Sequence, residues 1–515
     1  MTLHSFWLAA AARPDALALV EPDGTEHTAG ALLAQCNRTV SGLRALGLVA
    51  GDAVAVMLGN GAPLIELALA CGQAGLYLTP INTQLTATEV KFILEDSGAK
   101  VVVCEPSTSL ACRTALLDST IPLAARFVTS LDADGFRAFS SLTLGQSAEL
   151  PADRSGGFVM TYTSGTTGRP RGVRRPTFNV PADHLAESFT GFLRLFGIGE
   201  AGVHLVTSPL YHTAVVNFCQ YSLHFGHTVV LLEKFTAEAF LASVARYRVT
   251  TTHMVPAQFV RLLQLDLETR AAADTSSLTH VIHSAAPCPI AVKRRMLDWL
   301  GPCVWEYYAA SEGGGTTATP EDWARKPGTV GKPWPISEIR ILDDANEPVD
   351  AGFTGTVWIR MGEYRFEYHG DQEKTQKAWN RGFFTVGDAG YLDEDGYLFL
   401  CDRKSDMIIT GGVNVYPAEI EAAFIGHPAV ADIAVFGIPD ERFGEQIKAV
   451  VQPTEGVVGD EALVESLLAY ARVHLAGFKC PRSIDFTAAL PRDDNGKLYK
   501  RRLRDPYWEG TARGI

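Results

Sequence analysis

The sequence predicts an α/β protein with a large N-terminal unit and a smaller C-terminal one, and three observations lead there. Strand-like and helix-like segments alternate for most of the length, the pattern of layered α/β architecture. At 515 residues the chain exceeds the size at which one hydrophobic core stops growing. Near residue 402 a charged run, Asp402-Arg403-Lys404-Ser405-Asp406, separates the apolar stretches 397–401 and 407–409, and the remaining ~110 residues match a small independent domain.

The elements follow in order. Residues 1–13 hold a short apolar stretch with no positive charge before it, a poor fit to a secretory signal. Cys36, Val40, Leu43 and Leu46 share one helical face, bounded by Gly47 and Gly51. The apolar run 64–78 is interrupted by Glu66 and Gln73 and reads as buried helix, not as a membrane span. Thr86-Ala87-Thr88-Glu89 is a capping box; Val90, Ile93 and Leu94 form the apolar face behind it, Ser97-Gly98 stops the helix, and Val101-Val102-Val103 is a buried strand. No period of 20–50 residues recurs, which excludes a solenoid.

Composition narrows the partners. The 58 acidic and 45 basic residues leave a formal net charge of −13, which repels phosphate backbones, so no nucleic acid is expected. Nine dispersed cysteines without a C-x-x-C pair fit a reducing cytoplasm and argue against a zinc or redox centre. No transmembrane segment is expected; contact with a membrane surface, to collect a greasy substrate, is left open.

The strongest chemical signal is residues 161–172, Thr161-Tyr162-Thr163-Ser164-Gly165-Thr166-Thr167-Gly168-Arg169-Pro170-Arg171-Gly172. Its three glycines permit close backbone approach, its five Ser/Thr hydroxyls donate and its two arginines carry charge, a combination suited to a polyphosphate. The spacing is not that of a Walker loop. Strand-like Phe158-Val159-Met160 precedes it. Taken alone, such a loop also reads as a solvated linker.

This stretch resembles the phosphate loop of the adenylate-forming superfamily, which includes acyl-CoA synthetases, luciferases and peptide-synthetase adenylation domains. Further segments resemble that family in the same order: His283-Ser284-Ala285-Ala286-Pro287, Tyr307-Tyr308-Ala309-Ala310-Ser311-Glu312, Gly387-Asp388, residues 402–421, and Leu490 to Lys500 with Gly496-Lys497. The resemblance implies a fold with a large N-terminal multi-layer α/β domain, residues 1–402, built of two sheet-and-helix subdomains and a small β-subdomain. A hinge at 403–406 pivoting on Ser405, and a smaller mobile α+β C-terminal domain at 407–515, would complete it.

The resemblance also implies site residues. ATP or AMP would be held by Thr163, Ser164, Gly165, Thr166, Thr167, Gly168 and Arg171, by Ala285, Ala286 and Pro287 beneath the adenine, and by Glu306, Tyr307, Tyr308 and Ser311. Tyr308 would stack on the base, and Asp388 would take the ribose hydroxyls with Arg403 as companion. Thr163 and Glu312 would hold Mg2+. Lys497, His212 and Glu312 are the implied catalytic residues, Lys497 in the first half-reaction. Gly411, Gly412 and Lys479 would meet coenzyme A; Tyr211, His212, Val216, Ala309 and Gly313 would line the acyl pocket. Pro417 sits where a first helical turn begins, with Glu419 and Glu421 near its positive end.

The implied activity is an ATP-dependent acyl-CoA ligase of the cytoplasm: a carboxylic acid and ATP give acyl-AMP and pyrophosphate, and CoA then takes the acyl group and releases AMP. ATP, Mg2+ and CoA are its cosubstrates, with no prosthetic group; a homodimer is left open. Alternatives are an acyl-AMP ligase that loads a carrier protein and a non-catalytic ATP-binding relative. Only ~20 residues separate Ile359 from Trp379, too few for the insertion typical of fatty acyl-AMP ligases.

Several positions depart from the family pattern: Arg171 stands for lysine, Ala285-Ala286 for two glycines, Ala309 for glycine, Ser311 for threonine and Ser405 for aspartate or lysine. None removes a chemical role. Acetate-restricted members carry tryptophan where this chain has Ala309, so the resemblance implies a larger acid, a medium- or long-chain fatty acid or a bulky alicyclic or steroid-side-chain acid.

Overall fold

The computed structural model describes residues 3–131, 133–163, 171–175, 180–363, 365–403, 406–493 and 498–509, with the backbone alone at Thr163. Among these, alternating strands and helices build two large sheets that share a core. A nine-stranded sheet runs in the order Lys332–Pro333, Gly313–Ala318, Val304–Ala310, His280–His283, Thr251–Met254, Val203–Val206, Thr228–Leu231, Leu17–Val20, Glu26–Thr28; its middle is parallel and its two ends are antiparallel. A six-stranded parallel sheet places Ala53–Met57 between Tyr77–Pro80 and Ala99–Cys104. Strands buried on both faces explain the uniformly apolar Val54-Ala55-Val56 and Val101-Val102-Val103.

One continuous core joins both sheets through helices Ala29–Ala45 and Ala62–Ala74. The first buries Cys36, Val40 and Leu43, as its periodicity predicts. The run 64–78 is buried as expected, but it is not one helix: Gly75 closes Ala62–Ala74 in the left-handed conformation at φ +73°, and Leu78 belongs to the next strand. Glu66 and Gln73 are buried and bonded, Glu66 to the Thr39 hydroxyl and Gln73 to Asn37 Oδ1 at 3.0 Å. The capping box forms as read, with Thr86 and Glu89 bonded reciprocally ahead of Ala87–Asp96.

Strands between residues 337 and 403 form a smaller β-layer, and Glu367–Tyr368, Arg171–Arg174 and Thr161–Thr163 pair in the antiparallel sense as a separate three-stranded ribbon. The C-terminal sheet is ordered Val413–Val415, Ile408–Thr410, Gly444–Pro453, Val430–Asp440, with Ser483–Phe486 parallel to Gly444–Pro453; helices Pro417–Phe424 and Glu461–His474 cover it over a separate core. The apolar stretches on either side of the charged run at 402–406 do not pair with each other. Leu398–Arg403 pairs with Asp388–Leu392, whereas Ile408–Thr410 pairs with Val413–Val415, so the chain changes sheets across that run.

Candidate functional site

Strand Val304–Ala310 sorts the site residues by strand alternation, which sends Tyr308 and Tyr307 to opposite faces. The Tyr308 hydroxyl donates to Asp388 Oδ2 at 2.7 Å, and Arg403 Nε lies 3.5 Å from Asp388 Oδ1. Asp388 and Arg403 are direct cross-strand partners, which sets the arginine beside the carboxylate. Burial and the adjoining Asp388 carboxylate push the Tyr308 phenol well up, so it stays a donor.

Glu312 follows the same strand and is buried, its carboxyl raised above the usual range by burial and held back by a hydrogen bond from the Tyr368 hydroxyl to Oε1 at 2.8 Å. The Arg171 guanidinium sits 5.6 Å from the centre of the Tyr368 ring, and Arg403 and Asp388 both act electrostatically on Glu312. Two tyrosines, two carboxylates and two arginines from separate parts of the chain therefore meet in one place. Beside them a chain of hydroxyls runs from Thr161 to Thr213, at 2.8 Å, and on to Ser311, at 3.3 Å; Arg175 donates to the Ser311 carbonyl at 3.3 Å. Thr213 opens helix Thr213–His224, so a helix N-terminus faces this cluster.

Glu306 has partners within the protein. It is buried against Lys293, whose Nζ donates to Oε2 at 2.7 Å, with His283 Nε2 3.5 Å from the same oxygen. Tyr307 packs among Phe192, Phe196 and Phe218, with its hydroxyl 3.3 Å from His253 Nε2. Val216 is fully buried in the principal core. Tyr211 and His212 have ring centres 4.5 Å apart at the start of helix Thr213–His224. Ala285 takes φ +74°, the left-handed conformation that favours glycine, in the loop leaving His280–His283; Ala286 and Pro287 continue it.

A second group lies in the C-terminal sheet. Gly411 and Gly412, at φ +57° and +79°, make the turn between Ile408–Thr410 and Val413–Val415. Gly411, Phe443, Arg472 and Arg482 border a cleft of about 500 Å³. Lys479 donates to both Glu419 oxygens, at 2.6 and 2.7 Å. Lys500 Nζ lies 2.8 Å from Glu421 Oε1, and Asp402 Oδ2 accepts from the Ala418 amide at 2.9 Å. Arg492 grips Asp432 with two bonds at 2.5 and 2.8 Å, and Tyr499 N donates to Pro491 O at 2.8 Å, which ties down both sides of the segment that carries Lys497.

Ser164, Gly165, Thr166, Thr167, Gly168, Ser405 and Lys497 lie outside the described residues, as does the side chain of Thr163. Among the described residues no three His, Cys, Asp or Glu side chains gather to hold a metal, and no helix is long and apolar enough to cross a membrane. One buried carboxylate, Glu312, fits a Mg2+ that is carried in by a nucleotide, since that ion takes one or two protein carboxylates and leaves other positions to phosphate and water. Sequence reading assigns no role to Tyr368, Thr213, Lys293 or Lys500, although Lys500 closes the segment Leu490 to Lys500; each acts through a partner distant in the chain.

Two family profiles cover the chain, the AMP-binding enzyme family over residues 6–364 and the AMP-binding enzyme C-terminal domain over 419–497. A feruloyl-CoA synthase of an Amycolatopsis species is 34% identical over 94% of this chain and 95% of its own length. A long-chain-fatty-acid–CoA ligase of Mycobacterium tuberculosis is 34% identical over 96% of each chain. Among solved structures, the o-succinylbenzoate CoA synthetase of Bacillus subtilis in complex with its acyl-adenylate intermediate superposes with a TM-score of 0.81 at 28% identity, over 98% of this chain and 99% of that one.

Proposed function

Since the chain belongs to the AMP-binding enzyme family, we propose that it is an ATP-dependent acyl-CoA ligase that works through an acyl-adenylate. The observation that carries this reading is the meeting of Tyr308, Asp388, Arg403, Glu312 and Arg171 beside the Thr161–Thr213–Ser311 hydroxyls. Such a set offers an aromatic face, a bidentate acceptor, a hard carboxylate and cationic donors within one site, the chemistry a nucleoside triphosphate needs.

In the first step the acid's carboxylate oxygen attacks the α-phosphorus and pyrophosphate leaves. The attack brings two anions together, so charge must be neutralised and oxygen aligned with the leaving group. Arg171 and residues 163–168 would take the phosphates, Ser311 and Thr213 would donate near the α-phosphate, and the Lys497 ammonium would offset the charge of carboxylate and phosphate. Mg2+ supplies charge neutralisation when bound at Glu312 and Thr163. Asp388 accepts from the ribose hydroxyls, with its second oxygen oriented by Arg403 and its first partner Tyr308 set against the base.

In the second step the CoA thiol attacks the acyl carbonyl and AMP leaves. Domain division at 1–402 and 407–515, with rotation about Ser405, would exchange Lys497 for the Gly411-Gly412 turn at the site. The change of sheets across residues 403–408 supports a pivot there, because among the described residues no strand pairing bridges it. Glu306 is better assigned as a buried partner of Lys293, and Tyr307 as a wall of the acyl side, than as nucleotide contacts.

The relatives' names specify feruloyl and long-chain fatty acyl groups and so leave the acid open. The test is thioester formation with ATP, Mg2+ and CoA across a panel of acids, beside Lys497→Ala. Thioester from one acid class, lost in the variant while ATP still binds, is the expected result. Acyl-AMP that accumulates without thioester would transfer the second step to a carrier protein, and ATP binding without turnover of any acid would overturn the enzyme.

A further inference from the structure

On the face of Val304–Ala310 opposite Tyr308, Ala309 pairs in register with Gly315. One methyl and one glycine abreast leave room for another group two residues along the chain from Ser311, whose hydroxyl lies 3.3 Å from that of Thr213, where a reacting carboxylate would bring its acyl group on the ligase reading above. Trp334 takes that room from the neighbouring edge. Its backbone N–H donates to Gly315 O at 3.0 Å, and its indole Nε1 donates to Thr317 Oγ1 at 2.8 Å. A Cβ added at Gly315 would fall 2.9 Å from Trp334 Cζ2 and 3.0 Å from the Ala309 Cβ, so the indole lies directly on the small pair.

Phe192 backs the indole, ring centres 5.4 Å apart, and is itself 5.3 Å from Phe218 and 6.0 Å from Tyr307 in edge-on contacts. Edge-to-face rings at these separations leave no lane for an alkyl chain. We propose that Trp334, fixed by Thr317 and backed by Phe192, ends the acyl pocket, so that the acid is compact, a short aliphatic or one-ring aromatic acid, and long alkyl chains are excluded. Ala309 alone implies a larger acid; the tryptophan that would restrict the pocket is supplied instead from position 334. The inference rests on the ligase reading.

The test is acid-dependent ATP–pyrophosphate exchange with benzoate, hexanoate, dodecanoate and palmitate, for the wild type, Trp334→Ala and Phe192→Ala, with ATP binding measured on each protein to show that it is folded. The wild type should favour benzoate or hexanoate over dodecanoate by roughly tenfold or more in kcat/KM, and Trp334→Ala should shift that ratio toward dodecanoate by a similar factor. Phe192→Ala, which leaves the indole in place but unsupported, should shift it the same way by less. Equal use of palmitate and benzoate by the wild type, or a ratio unmoved in both folded variants, would overturn the assignment of Trp334. Exchange with no acid, ATP still binding, would instead overturn the ligase reading on which it rests.

Discussion

The Tyr308 hydroxyl and the Asp388 carboxylate, 80 residues apart in sequence, are joined by a 2.7 Å hydrogen bond in which Arg403 braces the other carboxylate oxygen. If this pair holds the nucleoside, Asp388→Ala should weaken ATP binding by roughly 30-fold, the effect of losing a charged hydrogen-bond acceptor worth about 2 kcal/mol. Tyr308→Phe, which keeps the ring, should cost less. Calorimetric titration with ATP checks both; an unchanged dissociation constant in Asp388→Ala would remove the aspartate from the nucleotide site.

Glu66 makes stability depend on pH. Burial raises its carboxyl from 4.5 to about 7, with the Thr39 hydroxyl and Gln35 pulling it back. The folded protein therefore keeps a proton that the unfolded chain releases near 4.5. The stability so contributed is complete below that value and is lost as the pH rises through 7, about 3 kcal/mol in all. Glu66→Gln should abolish this part of the pH dependence; thermal unfolding of both proteins at about pH 5 and about pH 8 shows it as a difference in slope.

Lys500 is the cation of a largely buried group in which Glu421 is bonded at 2.8 Å and Asp402 and Asp406 act at longer range. Lys500→Met leaves those carboxylates without their counter-charge and should destabilise the fold by about 3–5 kcal/mol. The double variant Lys500→Met, Glu421→Leu should recover a large part of it. Chemical denaturation measures both, and a single variant as stable as the wild type would contradict the pairing.

Ala285 holds φ +74°, a conformation that costs an L-residue about 1–2 kcal/mol, less what glycine loses in chain entropy. Ala285→Gly should therefore raise stability by up to about 1 kcal/mol, read as a higher melting temperature. A lower one would show that the alanine methyl packs to advantage.

What was legible in the sequence was what is local. The Thr86–Glu89 capping box spans one helical turn, and the buried face at Cys36, Val40 and Leu43 repeats at helical spacing, so both could be read directly. Gly75 was not read as a helix end because apolar residues continue on both sides of it, and helix and strand cores look alike in a short run. The site followed the same rule. Tyr308, Glu312 and Asp388 lie in recognisable segments, but Tyr368 reaches Glu312 from a two-residue strand, and Trp334 reaches Ala309 only because an edge strand docks on Gly313–Ala318. Pairings of that kind are set by tertiary packing and leave no mark in spacing. Glu306 shows the converse: it stands in a segment that resembles nucleotide-binding ones, yet Lys293 claims it.

The central claim, activation through an acyl-adenylate, is tested most directly by turnover of an acid labelled with 18O in its carboxylate, in the presence of ATP, Mg2+ and CoA. The acid's oxygen bonds to the α-phosphorus and stays there when the thiol displaces AMP, so one labelled oxygen should appear in the phosphate of AMP. Label found in inorganic phosphate, or thioester formed with unlabelled AMP, would contradict the account.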